Sequence, residues 1–109
     1  MRRVAFALLG IALAANALAG GDPAKGQQKA QQVCAACHGP DGNKPSAPDQ
    51  PVLAGQYQDY LERALSDYKN GRRNNPIMKG FAGQLSKQDI EDLAAWFSSQ
   101  TRTSLHDQR

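Results

Sequence analysis

The chain has 109 residues and a formal net charge of +3, from thirteen Lys and Arg against ten Asp and Glu, which suits one domain and is too short for two of ordinary size. Neither a basic run nor basic residues interleaved with stacking aromatics is present, so no nucleic-acid role follows from that charge.

The first stretch, MRRVAFALLGIALAANALAGGDP, has the composition of a leader: Arg2 and Arg3 are a charged start, Val4 to Ala15 an apolar run, and Ala17-Leu18-Ala19 a small-x-small cleavage site. Residues 1–19 are expected to be a signal peptide cut after Ala19, leaving residues 20–109 as one exported domain. A retained membrane anchor is the competing reading, disfavoured by an alanine-rich run that meets a helix breaker. Loss of Arg2 and Arg3 leaves eleven basic against ten acidic side chains, a balance of about +1. The local cluster of Lys69, Arg72 and Arg73 then reads as a solvated helix end. Large apolar side chains are few, with three Tyr, one Trp, Phe81 and Phe97 beyond the leader. A core that thin calls for a disulfide, a metal or a cofactor.

Asp22-Pro23 is a helix start, with Asp as N-cap and Pro where its missing N–H costs nothing. The helix is expected to reach about Val33, with Gly26, Ala30 and Val33 on a narrow face of small residues that permits close approach of another helix. From Gly39 to Gly55 the Gly- and Pro-rich GPDGNKPSAPDQPVLAG excludes a continuous helix or central strand and predicts an ordered loop wrapped on something apolar. Tyr57, Tyr60, Leu61, Ala64, Leu65 and Tyr68 recur at helical spacing, predicting an amphipathic helix that stops at Gly71 and turns its tyrosines into the core. Arg72 to Gly83 reads as a second loop. Ser86 with Asp89 three positions on forms a capping box, followed by Ile90, Leu93, Ala94 and Phe97 on one stripe. The tail from Thr101 to Arg109 lacks periodicity and is expected to fray. The domain is therefore all-α, three helices with two long loops that need support beyond their own hydrogen bonds.

Both cysteines and one histidine fall in V-C-A-A-C-H-G, residues 33–39. Cys-x-x-Cys-His is the attachment signature of c-type haem: two thiols three positions apart reach two porphyrin vinyl groups, and the following imidazole is carried beneath the iron. A redox dithiol would want a βαβ setting that is lacking here, and zinc would have to combine Cys34, Cys37 and His38 with the distant His106. A disulfide between Cys34 and Cys37 closes too short a loop to staple much. For the second iron ligand the candidates are Met78, in the Asn75-Pro76-Ile77-Met78 segment, and His106 in the polar tail; Met78 is preferred, although a lone methionine also serves as core filler.

With these residues in order, the chain resembles class I cytochrome c, in particular small mono-haem bacterial periplasmic cytochromes. The matching segments are the first helix running into CAACHG, PVLAGQ, the middle helix with its Gly-Arg exit, NPIM, and LSKQDIEDLAAWFSSQ. The resemblance implies one haem c bound covalently through Cys34 and Cys37, iron ligated by His38 and Met78, and a hydrogen bond from the outer imidazole nitrogen of His38 to the Pro51 carbonyl. It also implies that Gly26 packs against Trp96 and Phe97 where the terminal helices cross. The expected function is one-electron transfer by a periplasmic, monomeric carrier that is not an enzyme, docking transiently on redox proteins at the haem edge, with Lys44, Lys79, Arg72 and Arg73 as candidate rim charges. Two other roles compete: an electron-accepting subunit of a periplasmic dehydrogenase or sulfur-oxidising complex, and a haem-based gas sensor in which Met78 is displaced.

Overall fold

The computed structural model describes residues 20–103, with Ala5 and Gly10 besides. The remainder of the expected leader, and His106 with the end of the tail, lie outside the described residues. Among those described there are helices and no strand: α1 (Pro23–Val33), α2 (Ala35–His38), α3 (Gln58–Asn70), α4 (Pro76–Ala82) and α5 (Lys87–Ser99). None is long and apolar enough to cross a membrane.

Where the sequence carries a terminal signal, the long helices start or stop on it. Asp22 caps α1 through its carboxylate, which accepts from the Ala24 and Lys25 N–H groups. Gly71 ends α3 in the left-handed region, at φ +77°. At the start of α5 the Asp89 N–H donates to the Ser86 hydroxyl, and the Asp89 carboxylate accepts from the Ser86 N–H in return. Partial burial raises the Asp89 carboxyl, but its bonds to Ser86 and the charge of Lys29, 3.7 Å away, outweigh that and hold it below its ordinary value.

Two expectations are corrected. Residues 72–83 are not a continuous loop, because Asn75-Pro76 repeats the start signal of Asp22-Pro23. The Asn75 side chain accepts from the Ile77 and Met78 N–H groups, and α4 runs to Ala82 despite Gly80 within it. The tyrosines of α3 do not fill the core. Tyr57 is 79% and Tyr60 48% exposed, and Tyr68 lies half-buried under the Arg73 guanidinium, 4.9 Å from its ring centre. Leu61 alone on α3 is buried, with Leu65 packed beside it.

The core is organised around α5, which packs on both α1 and α3. Its expected stripe, Ile90, Leu93, Ala94 and Phe97, is buried, and Asp92 and Ala95 on a further face are buried too, because a second helix covers them. Leu93 is completely enclosed, a burial that stabilises by about 1.5–3 kcal/mol. On α1 the face of small residues is the contact surface: Gly26 and Ala30 are buried. A Cβ at Gly26 would stand 1.9 Å from the Asp92 carbonyl oxygen and 2.9 Å from the Trp96 Cβ. Trp96 thus meets Gly26 as expected, and Phe97 packs against Gly42.

Asp92 makes the same joint polar. Its carboxylate accepts from the Asp22 N–H at 2.7 Å and from Gln88 Nε2 at 2.8 Å. One buried carboxylate therefore ties the start of α1 to the middle of α5.

Two measurements check this packing. Gly26→Ala forces a methyl group into backbone and is expected to cost about 3 kcal/mol or more, read as a lower urea midpoint at unchanged slope. Folding depresses the Asp89 carboxyl, so its contribution is present at neutral pH and is lost as acid carries the pH down through the folded-state value. Asp89→Asn is expected to be the less stable protein at pH 7, with its stability curve approaching that of the parent as the pH falls below the ordinary carboxylate range.

Candidate haem site

The two cysteines and His38 are brought together by one turn of helix. α1 ends at Cys34, whose N–H still bonds the Ala30 carbonyl, and α2 follows directly. The Cys37 and His38 N–H groups both donate to the Cys34 carbonyl, at 3.3 and 3.0 Å. Positions i, i+3 and i+4 of a helix share a face, so Cys34, Cys37 and His38 project from the same side. The turn then stops at Gly39, where φ is +85° and a Cβ would press on Lys44.

The three groups are chemically distinct. The cysteines are unpaired, and burial, reinforced by Cys37, pushes the free Cys34 thiol up to about 11. A raised thiol lacks the thiolate character of a reactive redox dithiol. Among the described residues no three His, Cys, Asp or Glu side chains converge as a metal site, so zinc lacks a ligand set there. His38 is 7% exposed, and its Nδ1 lies 2.9 Å from the Pro51 carbonyl oxygen. A carbonyl only accepts, so Nδ1 is the donor in this bond, and in the neutral imidazole Nε2 then carries the lone pair.

The loop carrying Pro51 combines bonds of its own with support from α5 and the tail. Gln50 Oε1 accepts from the Ser46 N–H, the Ser46 hydroxyl and the Ala47 N–H. Ser46 N–H reaches back to the Cys37 carbonyl and Lys44 N–H to that of His38. The Gly42 carbonyl accepts from Leu53 and Ala54, and Gly42 has no room for a side chain between Phe97 and the Ala54 N–H.

The tail is also ordered as far as Thr103, where fraying was expected. Asn43, 7% exposed, donates through Nδ2 to Asp41 and to the Thr101 carbonyl and accepts the Thr103 N–H at Oδ1, each at 2.9 Å. The Asn43 side-chain amide and N–H lower the Asp41 carboxyl against a slight burial effect. Neither Asn43 nor Asp92 was singled out in the sequence. Their only signal is a polar residue between glycine or apolar neighbours, which most surfaces also contain.

Met78 stands apart from the cysteine turn, on α4, which packs on α3. It is half-buried, between the exposed apolar side chains of Ile77 and Phe81.

Comparison with known proteins settles the family. The family model described as cytochrome c matches residues 23–101. The chain belongs to the cytochrome c family. Cytochrome c4 of Pseudomonas aeruginosa is 50% identical over 93 residues, which is 85% of this chain and 45% of that protein. Cytochrome c-554(548) of Halomonas halodenitrificans is 45% identical over 83 residues, 73% of this chain and 98% of its own. Reduced recombinant cytochrome c4 from Pseudomonas stutzeri superposes with a TM-score of 0.70 at 46% identity, over 76% of this chain and 47% of that one. A further relative, the cytochrome subunit of sulfide dehydrogenase from Chlorobaculum tepidum, is 38% identical over 66 residues, 61% of this chain and 58% of that protein. The chain spans about half the length of the cytochrome c4 proteins it matches.

The all-helical architecture is the class I cytochrome c fold, and Cys34 and Cys37 fit one covalently bound haem c. The donor set agrees with that group: two thiols on one helix face and, between them and the loop, a buried imidazole with a free nitrogen. Replacing Cys34 or Cys37 by Ser is expected to give the pyridine haemochrome of a single thioether. The double variant is expected to lose its haem to acidified solvent, where the parent retains it.

Proposed function

We propose that this chain is a one-electron carrier whose haem iron is ligated by His38 and Met78, and that it works in the periplasm after removal of residues 1–19. The observation that carries the reading is the buried imidazole of His38, directly after the Cys-x-x-Cys turn, with its Nδ1–H bonded to Pro51. That bond fixes the ring orientation and strengthens Nε2 as a donor. In support of Met78, its N–H is bonded to Asn75, which holds the residue in the first turn of α4, and its thioether is a soft ligand suited to ferrous iron. When bound, haem c supplies the reversible Fe(III)/Fe(II) couple.

With His38 and Met78 both holding the iron, no position would be left for substrate, and an unchanged ligand set would keep rearrangement on transfer small. A thioether and an apolar setting favour the less charged ferrous form and raise the potential. Lys44, Lys79, Arg72 and Arg73 are exposed, as are Ile77 and Phe81, a mixed surface suited to brief docking on a redox partner over a small area. The sulfide dehydrogenase relative favours a second reading, in which the same haem accepts electrons as an enzyme subunit. Stable co-elution with a catalytic chain would support that reading, and a free monomer the carrier.

Met78→Ala is expected to abolish the weak sulfur-to-iron charge-transfer band of the oxidised protein and to lower the potential. A band and potential that survive the substitution would rule Met78 out as ligand. The reduced parent protein is expected to be unchanged by carbon monoxide at neutral pH, whereas rapid adduct formation would reveal an open iron position and favour a gas sensor.

A further inference from the structure

We infer that Asn43 is a positioning residue for the haem ligand: by clasping Thr101 and Thr103 it holds the loop that presents the Pro51 carbonyl to His38, and so tunes the imidazole as an iron donor. The inference rests on the reading of His38 as that ligand.

The geometry leaves Pro51 dependent on its neighbours. Proline has no N–H with which to anchor its own peptide. Downstream, the segment is fastened where the Leu53 and Ala54 N–H groups donate to the Gly42 carbonyl, at 2.9 and 3.3 Å. The place of the Pro51 carbonyl therefore follows from the place of Gly42. Gly42 sits at φ +82°, and a Cβ there would lie 2.8 Å from Phe97 Cδ1, so its only direct support from α5 is a packing contact.

Polar support comes from α5, where the Gly55 N–H donates to the Phe97 carbonyl at 2.9 Å and Trp96 Nε1 to the Pro40 carbonyl at 3.4 Å, and from the tail that follows it. Leaving α5, the tail bonds Asn43 at Thr101 and Thr103, while Arg102 Nε donates to the Ala54 carbonyl at 3.1 Å. It thus brackets both sides of the Gly42 ladder, Asn43 on one and Ala54 on the other. Within the bracket Asn43 is the hub: its side chain uses both amide hydrogens and its oxygen, and its own N–H is bonded to Asp41 at 3.0 Å. A residue serving only solubility or a turn would not be 7% exposed with partners 58 and 60 positions away.

The consequence for the ligand has a definite sign. A firm Nδ1–H to carbonyl bond makes the imidazole a stronger donor, which favours the ferric iron. Loosening the loop weakens that bond and shifts the couple toward the ferrous form. In the holoprotein, Asn43→Ala is expected to shift the reduction equilibrium about two- to tenfold toward Fe(II), up to about 59 mV for one electron, and to accelerate solvent exchange of the His38 Nδ1 proton seen by NMR. The Met78 charge-transfer band should persist. Thr103→Pro removes the N–H given to Asn43, while also fixing the backbone at that position, and tests the same link should Asn43→Ala fail to fold; it is expected to act in the same direction. If the variants lose thermal stability but keep the parent potential and proton exchange, Asn43 is merely structural and the inference is overturned. A His38→Gly protein with the parent ferric spectrum would instead overturn the ligand reading on which it rests.

Discussion

The close approach of α1 and α5 at Gly26 is the constraint on which the rest of the molecule depends. The Asp92 carbonyl occupies the space that any side chain at position 26 would need, so the two helices meet backbone to backbone. α1 continues directly into the Cys-x-x-Cys-His turn, and α5 continues into the tail. Fixing the crossing of these two helices therefore fixes both boundaries of the site. The 39–55 loop has only to bridge them.

Buried polar groups complete what the thin apolar core begins. A buried donor or acceptor left unpaired costs about 1–3 kcal/mol, and among the described residues no buried side-chain nitrogen or oxygen is left so. Asp92 joins α5 to the residue that caps α1, and Asn43 joins the loop to the tail. Each links segments more than fifty residues apart, so each gains its partners only when the chain has reached its final topology. In a domain with so few large apolar residues, such joints contribute specificity that packing alone would not.

Local signals were legible wherever a side chain acts on its own backbone. Asp22-Pro23, Gly71 and the Ser86–Asp89 box give the ends of the long helices because capping bonds span three residues or fewer. Asn75-Pro76 carries the same signal and was outweighed by the glycines around it, although one glycine inside a short helix costs only about 1 kcal/mol. The tyrosines of α3 were misplaced because helical spacing reports which residues share a face, not how much of that face a neighbour covers. The order of residues 101–103 is invisible in their own neighbourhood because it comes from Asn43 and Ala54, more than forty residues away.

Sequence alone determined the attachment chemistry, since two thiols and an imidazole at fixed spacing on one helical turn have few uses and local geometry suffices to aim them. It also determined the starts of α1 and α5 and the end of α3. Only tertiary structure decided that the Pro51 carbonyl meets His38, that the Asp92 carbonyl joins Trp96 at Gly26, and that Asn43 gathers the tail onto the loop. These are contacts between distant segments. Their existence depends on which faces the packed helices bring within 3 Å of each other, a distance that no residue carries in its own neighbourhood of the chain.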